Sequence, residues 1–219
     1  MPSYYPVFID VVDRTCVVIG GGKIGEEKVR KLLESGAKVS IISPEVTDGV
    51  RGLVASDGEK VTWAQREYQR GDLKDAFIAI AATDDTRVNT QISEEANERN
   101  VLLNVVDVTH LCTFIAPSVA RRGEVTIAVS TGGASPALAR KFREELTAST
   151  LIEYADLAPL LSVARNELKE MGVKVAPDHW QTCITDDLLT MVQDGKDEEA
   201  KKTLMADLLN GKVAASVSS

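Results

Sequence analysis

Cysteine is scarce in this sequence: Cys16, Cys112 and Cys183 stand far apart among 219 residues, with no CxxC pair. That argues against a disulfide framework and a thiolate metal site, and leaves buried unpaired thiols as the simpler expectation. Histidine is scarcer still, with only His110 and His179. One histidine near one aspartate does not make a coordination set, so His110 reads as an ordinary loop residue and no metal site is expected. No stretch approaches the roughly 18 consecutive apolar residues of a membrane span. The opening MPSYYPVFIDVVDR has no basic segment followed by a long apolar run, and a cytoplasmic protein is expected. Positive charge is also in deficit: 25 Lys and Arg against 33 Asp and Glu give a formal net charge of −8. Nucleic acid, whose binding rests on neutralising phosphates with cations, is therefore an unsuitable partner.

What is present suffices for a folded core: the chain is 44% hydrophobic and 26% charged, enough for one ordinary domain and a smaller appendage. Thr15 to Ile19, TCVVI, is a β-branched run ended by glycines, as in a buried strand of a parallel sheet. From Lys23 to Ser35 the apolar positions Ile24, Val29, Leu32 and Leu33 recur at helical spacing, with Gly36 as the stop. Lys38 to Ile42 is then a second strand. The alternation continues through a helix at Val50 to Ser56, strands at Val61 to Ala64 and Phe77 to Ala82, a helix at Asp84 to Asn100 and a strand at Val101 to Val106. Such alternation specifies a doubly wound α/β domain. After Asp107 the rhythm changes. Thr113 to Ala120 and Glu124 to Ser130 read as a hairpin turning through Arg121, Arg122 and Gly123. Ser135 and Pro136 supply an N-cap and a first-turn proline for a helix through Leu146. From about Ala148 the composition is helical, broken near Gly172 to Asp178 and around Gly195, and the tail Val213 to Ser219 is expected to fray.

Gly20, Gly22 and Gly25 form a GxGxxG directly after the first strand and at the mouth of the first helix. Such glycines serve a tight turn, close approach of backbone to a pyrophosphate and close helix packing, while helix-start amides face the phosphate charge. Gly20, Gly21, Gly22, Lys23, Ile24 and Gly25 are thus candidate dinucleotide-binding residues, with a merely flexible glycine turn as the alternative. Ser43 and Pro44 join them at the end of the second strand. Glu45 lies twenty residues after Gly25, where an acid would bind the ribose of NAD, although it could instead cap the next helix. No Arg or Lys intervenes before Arg51, so NAD is preferred to NADP. Ligands of open parallel sheets bind beyond the carboxyl ends of the strands. Thr83, Asp84 and Asp85 after the fourth strand, and Asn104 and Asp107 at the end of the fifth, could therefore line one crevice. Asp84 or Asp85 could equally cap a helix, and Asp107 could merely stabilise a turn. Arg121 to Glu145 is locally basic, with Arg121, Arg122, Arg140, Lys141 and Arg143 against Glu124, Glu144 and Glu145. A polyanionic small molecule could be attracted there, or the cations could simply be solvated.

The segments GGGKIGEEKVRKLLESGA, AIAATDD, NVVDV, FIAPSV and AVSTGGASPALARKFREEL, in this order and spacing, closely resemble the amino-terminal module of siroheme synthases and the stand-alone precorrin-2 dehydrogenases. The resemblance runs from about Tyr5 to Leu146 and is weaker beyond. Its specificity lies in STGGASPALAR joined to the glycine fingerprint. It implies a Rossmann-type doubly wound parallel sheet followed by a β-hairpin dimerisation region and a small helical domain, with boundaries expected at residues 1–112, 113–147 and 148–219. It also implies NAD-dependent oxidation of precorrin-2 to sirohydrochlorin, followed in some members by insertion of ferrous iron to give siroheme. The family's key aspartate matches Asp107, which would accept a proton. Ser130, Thr131, Gly132, Gly133 and Ser135 become candidate substrate-binding residues, because precorrin-2 carries many carboxylates and an amide-rich helix start suits them.

Trifunctional relatives add a methyltransferase domain that this sequence lacks, so precorrin-2 is expected to arrive from another protein. A homodimer joined through the hairpin is implied, and an isolated hairpin is marginal in water. The alternative from a different class is a non-catalytic nucleotide-sensing module. The hairpin and GGASPALAR argue against it, because a sensor needs no cleft beyond its nucleotide.

Overall fold

The structure, a computed structural model, describes residues 4–210; the fraying expected of Val213 to Ser219 lies outside the described residues. The chain forms two compact units. One holds the chain as far as Ala116 together with Gly132–Ala134, and the other holds Pro117–Thr131 and the chain from Ser135 on.

The first unit is a five-stranded parallel sheet made of β1 (Thr15–Gly21), β2 (Lys38–Val46), β3 (Val61–Ala64), β4 (Ile78–Ala81) and β5 (Leu102–Val105), in the order β3-β2-β1-β4-β5. The winding reverses between β1 and β4, the position at which open sheets bind ligands. On one face Cys16, Val18, Ile41, Ile78 and Ile80 cluster with Val29 of α1 (Lys23–Glu34) and Val50 of α2 (Asp48–Ser56). On the other, Val17, Ile19, Ala79, Ala81, Leu103 and Val105 cluster with Ile92 and Ala96 of α3 (Thr86–Arg99). Burial on both faces is why these strands read as unbroken apolar runs. The fold class is the one expected from the sequence.

Two local expectations are corrected. Strand β2 runs on through Pro44 to Val46, and Thr47, not Glu45, caps α2 by accepting from the Val50 N–H at 3.2 Å. The hairpin is also shorter and turns later than expected. It consists of β6 (Ser118–Arg122) and β7 (Val125–Val129), with Arg121 and Arg122 paired to Thr126 and Val125, so the turn is Gly123 and Glu124. Gly123 has φ +55°, a conformation in which arginine would carry a Cβ penalty. Thr113 is held elsewhere: its N–H donates to Leu103 O at 2.8 Å and its Oγ1 accepts from Leu103 N at 2.7 Å. That segment therefore runs along β5 and not into the hairpin.

In the second unit, Ser135 caps α4 (Pro136–Ala148) by accepting from the Leu138 N–H at 3.2 Å, with Pro136 in the first turn. A stretch of tighter helix at Thr150–Leu157 leads into α5 (Ala158–Glu170), α6 (Pro177–Cys183), α7 (Asp186–Gln193) and α8 (Asp197–Asn210). Leu157, Leu168, Leu188, Leu204 and Leu208 form their core. Within this unit the Arg122 guanidinium ties β6 to the Thr150–Leu157 segment through two bonds to Asp156, at 2.7 and 2.6 Å. Cys16 and Cys183 are buried thiols and Cys112 is half-buried. Among the described residues no helix is long and apolar enough to cross a membrane.

Candidate functional site

The glycine loop at the end of β1 separates into residues the protein needs for itself and one that it does not. A Cβ on Gly20, which has φ +105°, would lie 2.2 Å from Ala82 O. One on Gly21 would lie 2.4 Å from Glu45 O, and one on Gly25 2.1 Å from Gly20 O. Backbone occupies all three spaces. Gly22 has an ordinary φ of −71° and nothing within 4 Å of a built Cβ. It is also the N-cap of α1, which has no side-chain cap, whereas α2 and α3 are capped by Thr47 and Asp85. A helix start whose amides meet no side chain, beside an open glycine, fits an anion brought from outside. Lys23 and Ile24 are exposed at this mouth.

Ser43 is buried and ties two strand ends together: its Oγ accepts from the Gly21 N–H at 3.0 Å and donates to Glu45 O at 2.6 Å. The Trp63 indole N–H donates to Ser43 O at 2.9 Å, and the Arg51 guanidinium stacks on that indole, 5.0 Å from the ring centroid. Pro44 and Glu45 remain exposed. Behind the loop, Glu26 accepts from Thr47 Oγ1 at 2.5 Å and from Arg30 at 2.6 Å. The Thr47 hydroxyl, then the Arg30 guanidinium, hold its carboxyl below the usual carboxylate range.

After β4, Thr83 Oγ1 accepts from the Asp85 N–H at 3.2 Å, and Thr83 O accepts from Asn89 Nδ2 at 3.0 Å. Asp85 is the cap of α3, accepting from Val88 N at 3.2 Å and Arg87 N at 2.8 Å. Those two amides hold its carboxyl below the usual range. Asp84 is exposed, and its side chain makes no hydrogen bond or ion pair among the described residues.

After β5 the loop is stapled from within. Asn104 Nδ2 donates to Phe114 O at 3.2 Å and lies 3.7 Å from Cys112 Sγ. Cys112 Sγ in turn accepts from the Val105 N–H at 3.1 Å. Burial pushes the Cys112 thiol up, and the Val105 contact only partly offsets it. Val108 N–H on Val105 O at 3.2 Å and Cys112 N–H on Thr109 O at 3.1 Å tie the loop further along its length. Asp107 stands in it at φ +60°, exposed, its carboxylate unpartnered among the described residues. Left-handed backbone in a non-glycine residue costs about 1–2 kcal/mol, which aspartate tolerates better than most. His110 lies exposed in the following turn, Thr109–Leu111. Parallel neighbours lie about 4.8 Å apart, so the ends of β1, β4 and β5 open on one edge of the sheet. Gly22, Asp84 and Asp107 follow those ends.

Helix α3 holds both of the later loops from behind, a role the sequence expectations did not include. Asn89 and Ser93 are buried; Asn89 reaches Thr83 O, and Ser93 Oγ donates to Leu111 O at 3.4 Å. The Asn89 Oδ1 atom is buried without a partner. A signal was available: both positions are polar, yet they fall beside Ile92 and Ala96 in the stripe that packs on the sheet.

In the glycine-rich segment, Thr131 Oγ1 accepts from Ser135 N and donates to Ser135 O, each at 3.0 Å. Gly132 and Gly133 between them have φ of +63° and +88°. Gly133 passes close to the Asp107 loop, since its Cβ would lie 3.6 Å from Thr109 Cγ2. Ser130 is exposed just after β7, and the Ser135 oxygen is committed to its cap. The local excess of cations is largely neutralised. Arg122 pairs with Asp156, Arg140 and Arg143 with Glu144, and Lys141 with Glu145. Helical i,i+4 spacing puts Arg140 and Lys141 beside their acids, which weakens the expectation of a basic attractor here. Among the described residues no group of three or more His, Cys, Asp or Glu is placed to hold a metal ion.

Comparison with known proteins agrees with this geometry. Residues 7–118, half the chain, match the family described as "Putative NAD(P)-binding", and residues 122–149 match "Sirohaem biosynthesis protein central". The chain is 36% identical over 212 residues to a siroheme synthase of Nitrosospira multiformis, covering 95% of this chain and 45% of that protein. The chain belongs to the family of the siroheme synthase amino-terminal module. A siroheme synthase of Pseudomonas paraeruginosa is 34% identical over 211 residues, again covering 95% of this chain and 45% of that protein. The chain thus spans less than half the length of these curated relatives. The solved structure of a protein described as "SirC, precorrin-2 dehydrogenase" superposes with a TM-score of 0.72 at 22% identity, covering 93% of this chain and all of that one, which establishes the shared fold.

Proposed function

We propose that this chain oxidises precorrin-2 to sirohydrochlorin, with NAD as the hydride acceptor and Asp107 as the proton acceptor. The observation that carries the reading is the pairing, on one sheet edge, of an uncapped α1 beside open Gly22 with the unpartnered Asp107 carboxylate. Family membership supplies the substrate class. The superposing protein is described as a precorrin-2 dehydrogenase, which supports the same reaction here.

Gly22 and the first amides of α1 would hold the pyrophosphate, with Lys23 and Ile24 beside it. Exposed Glu45 would meet the ribose, and Arg51 is occupied on Trp63, which favours NAD over its phosphorylated form. Bound NAD supplies the hydride acceptor. Two hydrogens leave the substrate, one as hydride and one as a proton, and the Asp107 carboxylate is the base that takes the proton. Asp84, on the same edge, and the segment Ser130–Gly133 are the further substrate- or cofactor-facing candidates. Val119, Leu138, Phe142 and Leu151 are large apolar side chains left exposed on and beside the hairpin and α4. They support a homodimer joined there.

The test is anaerobic incubation with precorrin-2 and NAD, following NADH absorbance, in wild type and in Asp107→Asn and Asp107→Gly. Both replacements tolerate left-handed backbone, so the turn survives while the carboxylate is lost. Oxidation should fall about a hundredfold or more in both, with NAD affinity unchanged. Full activity in either returns Asp107 to a turn-forming role. Sirohydrochlorin and ferrous iron supplied directly to the same proteins would show whether this carboxylate also assists chelation.

A further inference from the structure

We infer that the helical unit carries a second binding site, for a small polycarboxylate with a flat conjugated face, in the groove where the end of α5 meets α6. The groove has a volume of about 550 Å³, the size of a small-molecule site. Arg165 and Lys169 of α5 and Lys174 of the following loop line it, with Ser162, Asn166 and Trp180. Among the described residues none of these six side chains makes a hydrogen bond or an ion pair, the Trp180 indole N–H included.

Cations on two other helices are paired along the helix, although Lys23 of α1 and Lys202 of α8 meet no acid among the described residues. On α1, Arg30 and Lys31 pair with Glu26 and Glu27 at i,i+4, and on α4, Arg140 and Lys141 pair with Glu144 and Glu145. Helix α5 does the reverse: Arg165 and Lys169 are themselves i,i+4, a like-charge arrangement that destabilises a helix. The helix macrodipole accounts for Lys169 in the last turn. It does not account for Arg165 a turn earlier, nor for Lys174 converging from the loop. From Leu151 onward the sequence has twelve acids against seven bases, and three of those seven line this one groove. Cations gathered at a cost to the helix, around a concavity that Trp180 also lines, suit an anion that carries several carboxylates on a flat ring. Arginine offers the bidentate fork for carboxylate, and the indole offers a stacking face.

The inference rests on the proposal that this chain handles a polycarboxylate tetrapyrrole, and it adds a site to the one on the sheet edge. The test is calorimetric titration of the full chain with uroporphyrin, comparing wild type with the triple variant Arg165→Gln, Lys169→Gln, Lys174→Gln. Wild type should show two classes of uroporphyrin site, the sheet edge and the groove; in the triple variant the sheet-edge class should persist while the groove class weakens at least about tenfold, the change expected from losing one charge-assisted hydrogen bond, with a shallower salt dependence. Its NAD affinity should be unchanged. Trp180→Leu should weaken uroporphyrin but not citrate, a polycarboxylate without a ring. Unchanged uroporphyrin binding in the triple variant overturns the site. Competition by inorganic phosphate as effective as that by citrate overturns the assignment to polycarboxylates. If precorrin-2 is not oxidised while charge-dependent uroporphyrin binding persists, the proposed activity fails and the groove stands; the converse result removes the groove alone.

Discussion

Gly22→Ala should separate the stability of this protein from its cofactor affinity. At φ −71° and ψ −174° alanine fits the backbone, and its Cβ meets nothing within 4 Å. Replacing glycine at a compatible position gains about 0.4–1 kcal/mol by restricting the unfolded chain, but alanine is a poorer N-cap than glycine by a similar amount, so at this N-cap the two effects offset. In a chain of this size Tm should therefore stay within about 2 °C of wild type. The same Cβ stands where a pyrophosphate would approach the α1 amides. Displacing it by one charge-assisted hydrogen bond weakens NAD by about 10- to 100-fold. Gly22→Asp adds charge repulsion and should abolish binding. Gly20→Ala and Gly25→Ala are the contrast: their Cβ atoms would fall 2.2 and 2.1 Å from backbone oxygens, so both should lose about 1–3 kcal/mol or more. Calorimetry with NAD and thermal unfolding of the four variants decide the matter. A Gly22→Ala protein that binds NAD as wild type does, or melts as low as Gly20→Ala, refutes the assignment of this position to a ligand.

Glu95 is fully buried and accepts from Tyr68 Oη, Gly71 N and Arg99 Nε, the last at 2.6 Å, so Glu95→Gln should cost about 1.5–3 kcal/mol. Burial alone would raise its carboxyl, but Tyr68, Gly71 and Arg99 together hold it below the ordinary value. Its contribution is therefore complete above the unfolded-state pKa and lost as pH falls through the folded one; a wild-type advantage over Glu95→Gln that does not shrink on acidification contradicts this. Asn89→Leu should lower NAD affinity by releasing Thr83, whereas Ser93→Ala should lower kcat with NAD affinity retained. Equal loss of both quantities in both variants would indicate general loosening instead. Leu138→Asp with Phe142→Asp should convert a dimer to a monomer in sedimentation, and a wild type already monomeric at micromolar concentration removes the proposed interface.

What is legible in the sequence is whatever depends on local pattern. The apolar runs around Val18, Ile41 and Ile80 announce strands because both faces of the sheet are covered, and Ser135 with Pro136 announces α4 because capping is a matter of a few adjacent residues. Choices between neighbours are harder. Asp84 and Asp85 are chemically alike, and only the backbone path makes Asp85 the cap and leaves Asp84 open. The hairpin is misplaced for a similar reason, since Arg121-Arg122-Gly123 looks like a turn until Thr113 is seen paired with Leu103 and the strand start moves to Ser118. Long-range polar ties are not legible at all: nothing in the order of residues says that Cys112 will satisfy Val105 or that Asn104 will hold Phe114. Yet these ties decide what Asp107 can do. The turn-forming and proton-accepting roles stand as alternatives for that residue in the sequence, and the structure makes them compatible. The stapled loop holds Asp107 in left-handed backbone, a conformation that a short polar side chain tolerates, and leaves its carboxylate exposed without a partner among the described residues. Loosening the staple without touching the carboxylate, as Cys112→Ala would, should therefore impair the same step that loss of the carboxylate does.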